Sequence, residues 1–262
     1  MARSKAVQLA GDPVALGRYV FRKYLYRRLY VPLNNALRAA LAGPETPVDA
    51  AFGAIRARTR RRSDISDHLP ILYRETIARR PKLLVELGTR GGESTLVLLA
   101  AAKAVDAPMV SIDIDDVGAE VKQKEPDLTA RWRFVQADDV GFAAQFPAWC
   151  AQHGLPAAID LLFIDTSHLY PHTVAEIAAW FPRLAPSATV MFHDTAMGEY
   201  YRRADGTIGR GWDNERGVIR AVEEALGLRI DEFRPFHGTA RGWAVEHHPH
   251  CNGFTVLRRD AA

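Results

Sequence analysis

The chain has 262 residues, 48% of them hydrophobic, and 34 Lys/Arg against 31 Asp/Glu give it a formal net charge of +3. That length carries one large domain, or one domain and an appendage, with ample material for a core, and the composition is ordinary for a soluble globular protein. No apolar run approaches the roughly 18 residues of a membrane span, and Met1–Lys5 is not followed by the apolar region of a signal peptide. Cys150 and Cys251 are too few for a disulfide framework, so a reducing, cytoplasmic setting is expected.

Charge divides the chain. Residues 1–82 hold 17 Lys/Arg against 6 Asp/Glu and the remainder 17 against 25, and opposite signs argue for two parts. A basic, mostly helical arm is expected over 1–62 and a second domain over 63–262. In the arm, Arg18, Arg22, Lys23, Arg27 and Arg28 alternate with Tyr19, Phe21, Tyr24, Tyr26 and Tyr30, a helix that ends before Pro32. A membrane or nucleic-acid contact would need one cationic face, yet at 100° per residue the five basic side chains spread around the wheel. The arm is therefore expected to pack on the acidic remainder or on a second copy, giving a homo-oligomer, with its basic stems over apolar surface. Nucleic acid is not expected, and a membrane-surface contact stays as the alternative. Gly43–Pro47 reads as a turn and Arg56–Arg62 as a solvated charge run.

In the domain, Leu69, Leu72, Tyr73 and Ile77 recur at helical spacing, with Asp67 as the expected cap and Arg79, Arg80 and Pro81 as the stop. Strands are expected at 83–87, 109–113, 131–136, 159–164 and 188–192, separated by helix-compatible segments such as 94–104 and 174–181. The chain closes with 243–248 and 253–258 as an antiparallel hairpin. Alternating strands and helices make an α/β fold, a doubly wound, Rossmann-like, mostly parallel sheet. His247, His248 and His250 fall in the hairpin turn and are read as solvated rather than as ligands.

The first strand runs Leu83-Leu84-Val85-Glu86-Leu87 into Gly88-Thr89-Arg90-Gly91-Gly92, then Glu93-Ser94-Thr95 opens a helix. Glycines permit the tight turn, and helix amides pointing back at it make a cradle for a nucleotide-like ligand. A dinucleotide fingerprint is G-x-G-x-x-G, but here position 90 is Arg, and Glu86 would repel a pyrophosphate while suiting a positively charged amino group. Glu86-x-Gly88-x-x-Gly91-Gly92 resembles motif I of the class I S-adenosylmethionine-dependent methyltransferases, and Asp113 falls where that family places its ribose-binding acid. The resemblance implies S-adenosylmethionine as cofactor, held by Glu86, Gly88, Gly91, Gly92, Ser94, Asp113 and, near the adenine, Asp138.

Ligands of such sheets sit beyond the carboxyl ends of the strands. Strands four and five end in Asp165-Thr166-Ser167-His168 and in His193-Asp194. Asp165, Asp194 and His193 are reasonable ligands for a divalent cation, Mg²⁺ with carboxylates or Mn²⁺ with an added imidazole. A cation there lowers the pKa of a substrate hydroxyl, and His168 is suited to take the proton. Asp165-x-x-His168 with Asp194 is similar to the metal-dependent macrocin and mycinamicin sugar O-methyltransferases, and to the cephalosporin-hydroxylase-like group. That similarity implies aspartate metal ligands, a histidine base, and O-methylation in natural product biosynthesis. The sugar methyltransferases carry an acid where this chain has His193. Substrate contacts, to a sugar, glycoside or other small molecule bearing a hydroxyl, are expected from Tyr170, Tyr200, Arg210 and Trp212, the last three on an aromatic, basic segment at 196–214 that reads as a lid. Two other readings compete: a non-haem iron hydroxylase built on the same histidines and aspartates, and a catalytically inactive S-adenosylmethionine-binding protein.

Overall fold

The computed structural model describes residues 13–21, 24–25, 29, 33, 48–61, 63–196, 200–202, 208–210 and 216–259. The chain divides into two compact units, one comprising Met1–Pro47 and Gly198–Asn214, the other Val48–Met197 and Glu215–Ala262. In the first unit, helix α1 (Pro13–Val20) is described, and so is a two-stranded antiparallel ladder of β6 (Tyr200–Arg202) and β7 (Ile208–Arg210). Of the expected arm helix over 18–30, residues 22, 23, 26–28 and 30 lie outside the described residues. The 196–214 segment, expected as a loop, thus contains two short strands. Among the described residues, no helix is long and apolar enough to cross a membrane.

The second unit opens with α2 (Phe52–Arg58), a 3-10 turn at Ser66–His68 and α3 (Leu69–Arg79). The boundary expected at residue 62 falls inside this unit, because Phe52 and Ile55 are buried in the same core cluster as Leu69, Leu72 and Tyr73. Pro70 sits in the first turn of α3 as expected, but the Asp67 cap is corrected. Asp67 belongs to the 3-10 turn, the residue preceding α3 is His68, and no side chain caps the helix.

Then follow β1 (Leu84–Leu87), α4 (Glu93–Ala104), β2 (Met109–Asp113), α5 (Gly118–Lys124), β3 (Trp132–Gln136), α6 (Asp139–Ala143), α7 (Phe146–Gln152), β4 (Ile159–Ile164), α8 (Tyr170–Trp180), β5 (Leu184–His193), α9 (Gly217–Leu226), β8 (Phe236–Ala240), β9 (Trp243–His248) and β10 (Phe254–Arg258). The eight-stranded sheet has the order β3-β2-β1-β4-β5-β10-β9-β8. Strands β3 to β5 in that order are parallel, and β10, β9 and β8 add antiparallel. The expected α/β class and closing hairpin are present. The edge strand β8 is an addition to the elements read from sequence.

Period-two alternation sorts the strand residues onto two faces. Val85, Leu87, Val110, Ile112, Leu162 and Ile164 pack with Phe142, Phe146, Trp180 and Val222 under α6 to α9. Leu84, Met109, Leu161 and Phe163 pack with Leu72, Tyr73, Val97 and Leu98 under α3 and α4. Strand order reverses between β1 and β4, so their following loops diverge and leave a crevice at the carboxyl end of the sheet.

Those loops nonetheless touch at one point. Gly88 has φ +87°, and a Cβ there would lie 2.1 Å from the backbone oxygen of Asp165. Gly88→Ala should cost at least about 2 kcal/mol in urea denaturation, from the left-handed backbone and a clash that no side chain can relieve. Gly154→Ala is the control. Its φ is also positive but its Cβ would meet nothing, so only the backbone penalty of about 1 kcal/mol applies.

Candidate active site at the carboxyl ends of the strands

The crevice is a cavity of about 790 Å³. Its walls include Gly88, Arg90, Gly91 and Ser94 from the first turn, Asp113 and Asp115 after β2, Asp138 and Asp139 after β3, and Asp165 and His168 after β4. A Cβ on Gly91 would meet nothing within 4 Å, so its bare backbone faces open space that a ligand can approach closely.

Glu86 is absent from these walls. Alternation puts it on the same face as Leu84, beneath the first turn of α4, where it is fully buried. Its Oε1 accepts from the Ser94 hydroxyl (2.8 Å), and its Oε2 accepts from Thr95 (2.8 Å) and Ser111 (2.7 Å). Ser111 in turn accepts from the Trp132 indole N–H at 2.9 Å. Contact with the amino group of a ligand thus gives way to a structural task, locking the turn and helix onto two strands.

Burial pushes the Glu86 pKa up to about 7, against the pull of the three hydroxyls. A carboxyl raised from 4.5 in the unfolded chain to about 7 in the folded one takes stability away as pH rises between those values, by up to about 3 kcal/mol. Glu86→Gln removes this penalty. Its unfolding free energy, measured against that of the wild type, should therefore improve from pH 5 to about pH 7 and then level off, and a pH-independent difference would contradict the burial argument.

Asp113 ends β2 and holds the same turn from the other side. Its Oδ2 accepts from the backbone N–H groups of Thr89 (2.6 Å) and Arg90 (2.9 Å), and its Oδ1 from that of Asp115 (2.9 Å). A carboxylate offers about four acceptor positions, so capacity for a ribose hydroxyl remains. Arg90 carries a bidentate ion pair with Asp64, both contacts at 2.9 Å. Asp138 caps α6 by accepting from Gly141 N–H at 2.6 Å.

The two strand-end pairs do converge. β4 and β5 are neighbours in parallel register, Ile164 opposite Phe192, so Asp165 and His193-Asp194 leave the sheet at one level. His168 Nε2 lies 3.0 Å from Asp165 Oδ1 and 3.0 Å from Asp194 Oδ2. His193 Nδ1 lies 3.2 Å from Asp165 Oδ1 and 3.4 Å from Asp194 Oδ1. On its other side, His193 Nε2 meets the carbonyl oxygens of Asp64 (3.1 Å) and Cys251 (3.2 Å). Carbonyls only accept, so Nε2 carries a proton and Nδ1 is the nitrogen offered to the carboxylates.

Buried Asp194 Oδ1 receives no hydrogen bond among the described residues. An imidazole nitrogen and two carboxylates, one with an orphaned oxygen, make a donor set that fits a divalent cation. Burial opposes charge on His168, but Asp194 and Asp165 outweigh it and lift its pKa to about 10; the same balance lifts His193 to about 9. Burial likewise raises Asp165, and the two imidazoles overcome it to hold that carboxyl far below its usual range. His168 and Asp194 have φ of 60° and 55°, left-handed values that cost non-glycine residues roughly 1–2 kcal/mol and concentrate at functional sites.

Tyr170 opens α8, donates its hydroxyl to Glu224 (2.6 Å) and lies under the Arg220 guanidinium, which ties it to α9. Tyr200 and Arg210 are register partners in the β6–β7 ladder of the other unit, and Trp212 lies outside the described residues. His247 corrects its solvated reading: it is buried, bonded to Thr255 Oγ1 (2.8 Å) and the carbonyl of Glu232 (3.1 Å).

His172 borders the cavity as expected, but sequence reading did not join it to Asp139 and Glu176. His172 Nε2 lies 3.1 Å from Asp139 Oδ1 and 3.6 Å from Glu176 Oε1. The i, i+4 spacing of His172 and Glu176 was the one visible sign of this group. Burial and the facing Asp139 push Glu176 well above the carboxylate range.

Residues 85–195 match a family described as a methyltransferase domain. The fold is similar to that of the methyltransferase PaMTH1 of Podospora anserina bound to S-adenosylhomocysteine (TM-score 0.55, 14% identity, 87% of this chain and 96% of that one). It is similar also to TomG, an O-methyltransferase of Streptomyces achromogenes involved in tomaymycin synthesis and solved with S-adenosylmethionine (TM-score 0.53, 17% identity, 86% and 96%). A third likeness is to CalS11, a TDP-rhamnose 3′-O-methyltransferase of calicheamicin biosynthesis (TM-score 0.50, 18% identity, 91% and 98%). An uncharacterised protein of Sinorhizobium fredii, y4gI, is 27% identical over a match covering 47% of this chain; the match spans only 14% of that protein's length.

Proposed function

We propose that the methyltransferase domain transfers a methyl group from S-adenosylmethionine to a hydroxyl of a small molecule, a sugar or glycoside first among them, with the help of a divalent cation. The observation that carries this reading is the convergence of Asp165, His168, His193 and Asp194 at one end of the cavity whose other walls are the glycine turn and Asp113. The match to a methyltransferase-domain family favours it over iron-dependent hydroxylation.

Within this reading, the backbone of Gly88 and Gly91 cradles the methionine portion of the donor. Asp113 accepts the ribose hydroxyls and Asp138 lies at the adenine. Asp165 and Asp194, with Nδ1 of His193, would hold the cation, which would supply Lewis-acid chemistry that lowers the pKa of the reacting hydroxyl. A cation shared by Asp165 and Asp194 would offset the negative charge that raises the His168 pKa, and the neutral imidazole would then take the hydroxyl proton. The oxygen attacks the methyl carbon in line, an O–CH₃ bond forms, the S–CH₃ bond breaks, and the sulfonium becomes the neutral thioether of S-adenosylhomocysteine. Holding both reactants removes much of the entropic barrier.

The acceptor is identified by assaying sugar, glycoside and phenol acceptors for S-adenosylhomocysteine. With such an acceptor, His168→Ala should lower kcat by roughly 10²–10⁴ and leave calorimetric affinity for S-adenosylhomocysteine within about twofold. Chelation should abolish turnover and Mg²⁺ or Mn²⁺ restore it. Unchanged turnover in His168→Ala would remove the base, and chelator-resistant turnover would remove the cation. Gly91→Phe, whose side chain would enter open cavity space, should weaken S-adenosylhomocysteine binding at least roughly tenfold while thermal unfolding stays where it is.

A further inference from the structure

Asp139, His172 and Glu176 have no task in the reaction described above. Asp139 opens α6, while His172 and Glu176 lie four residues apart on α8, so one face of that helix presents both to the same place. Glu176 is fully buried and the Asp139 side chain is 9% exposed. Among the described residues, Asp139 Oδ2 and Glu176 Oε2 have no donor other than a proton shared between the two facing carboxyls. Two facing buried carboxyls are costly unless a proton or a metal ion is shared between them. One donor atom from each of the three residues lies within 4.8 Å of the others. Donors around a tetrahedral ion at 2.0–2.2 Å are roughly 3.4 Å apart, so small side-chain adjustments close the set.

We propose that Asp139, His172 and Glu176 bind a divalent transition-metal ion, Zn²⁺ in the first instance, at a site separate from the one at Asp165 and Asp194. One imidazole and two carboxylates are a zinc-type donor set with a fourth position left for water. Thr166 donates its hydroxyl to Glu176 Oε1 at 2.6 Å and fixes that carboxylate from outside, as second-layer partners of metal ligands do. The ion clamps the start of α6 to α8. Those elements carry Asp138 and adjoin the loop bearing Asp165 and His168, so its role is to hold the cavity wall rather than to react.

The competing account is that the two carboxyls share a proton and bind no ion. Full-length protein stripped with a chelator and dialysed against Zn²⁺ decides between them, with bound zinc per chain measured by elemental analysis. His172→Ala and Glu176→Gln should each bind one ion fewer than the wild type, and Asp194→Asn should keep the ion that they lose. Should Glu176→Gln fail to fold, His172→Ala, at a partly exposed position, carries the test. Co²⁺ added to Asp194→Asn should give visible absorption of a low-coordinate site that vanishes when His172→Ala is combined with it. Zinc content in His172→Ala equal to that of the wild type, or no zinc bound by Asp194→Asn, would overturn the proposal. Because the comparison is of one ion more or fewer, it reads the same whether or not the Asp165–Asp194 site takes a metal.

Discussion

Two carboxylates and two imidazoles confined to one buried patch are the constraint on which the structure turns. Like charges that close repel unless positive charge lies between them; the His168 and His193 imidazoles supply it, and the backbones hold Asp165 and Asp194 where the imidazoles reach both. The parallel register of β4 and β5 sets both at one height. Close backbone approaches keep them there. Gly88 meets the carbonyl of Asp165, Gly217 that of His168, and Gly253 the backbone of Thr195 and Ala196, each in a space that a Cβ would fill. Left-handed backbone at His168 and Asp194 is sustained by this packing rather than by local preference. Stability supplied by the sheet thus offsets the strained backbone at His168 and Asp194.

The glycine turn is organised by the same economy of charge. Asp113 gathers three backbone N–H groups, and Glu86 gathers three hydroxyls beneath the helix. One acid fixes the turn from the cavity side, the other from the core side. The amides and the bare backbone of Gly91 are therefore preorganised before any ligand arrives, which lowers the entropy lost on binding.

Sequence made the parallel sheet legible because β1, β2 and β4 are short aliphatic runs closed by Asp or Gly, a pattern set by burial on both faces. It also made Asp165, His168, His193 and Asp194 legible, since any polar residue ending such a run must lie at the ligand edge. What it concealed depends on long-range contact. β8 (Phe236–Ala240) is a half-exposed edge strand containing His, Gly and Thr, too weakly patterned to stand out. His247 looked solvated because its partners, Thr255 and the carbonyl of Glu232, are supplied by other segments. Glu86 was placed in the cavity by motif, although parity with Leu84 already directed it beneath α4. Asp139 could not be joined to His172 and Glu176 until α6 and α8 were seen to meet.

The central claim is that the ends of β4 and β5 hold a divalent cation beside the cavity for the methyl donor. Anomalous diffraction from crystals grown with Mn²⁺ and S-adenosylhomocysteine tests it most directly. The account predicts a manganese peak within coordinating distance of the carboxylates of Asp165 and Asp194, with the thioether sulfur facing it. Density for S-adenosylhomocysteine in the cavity with no manganese at those two carboxylates would contradict it.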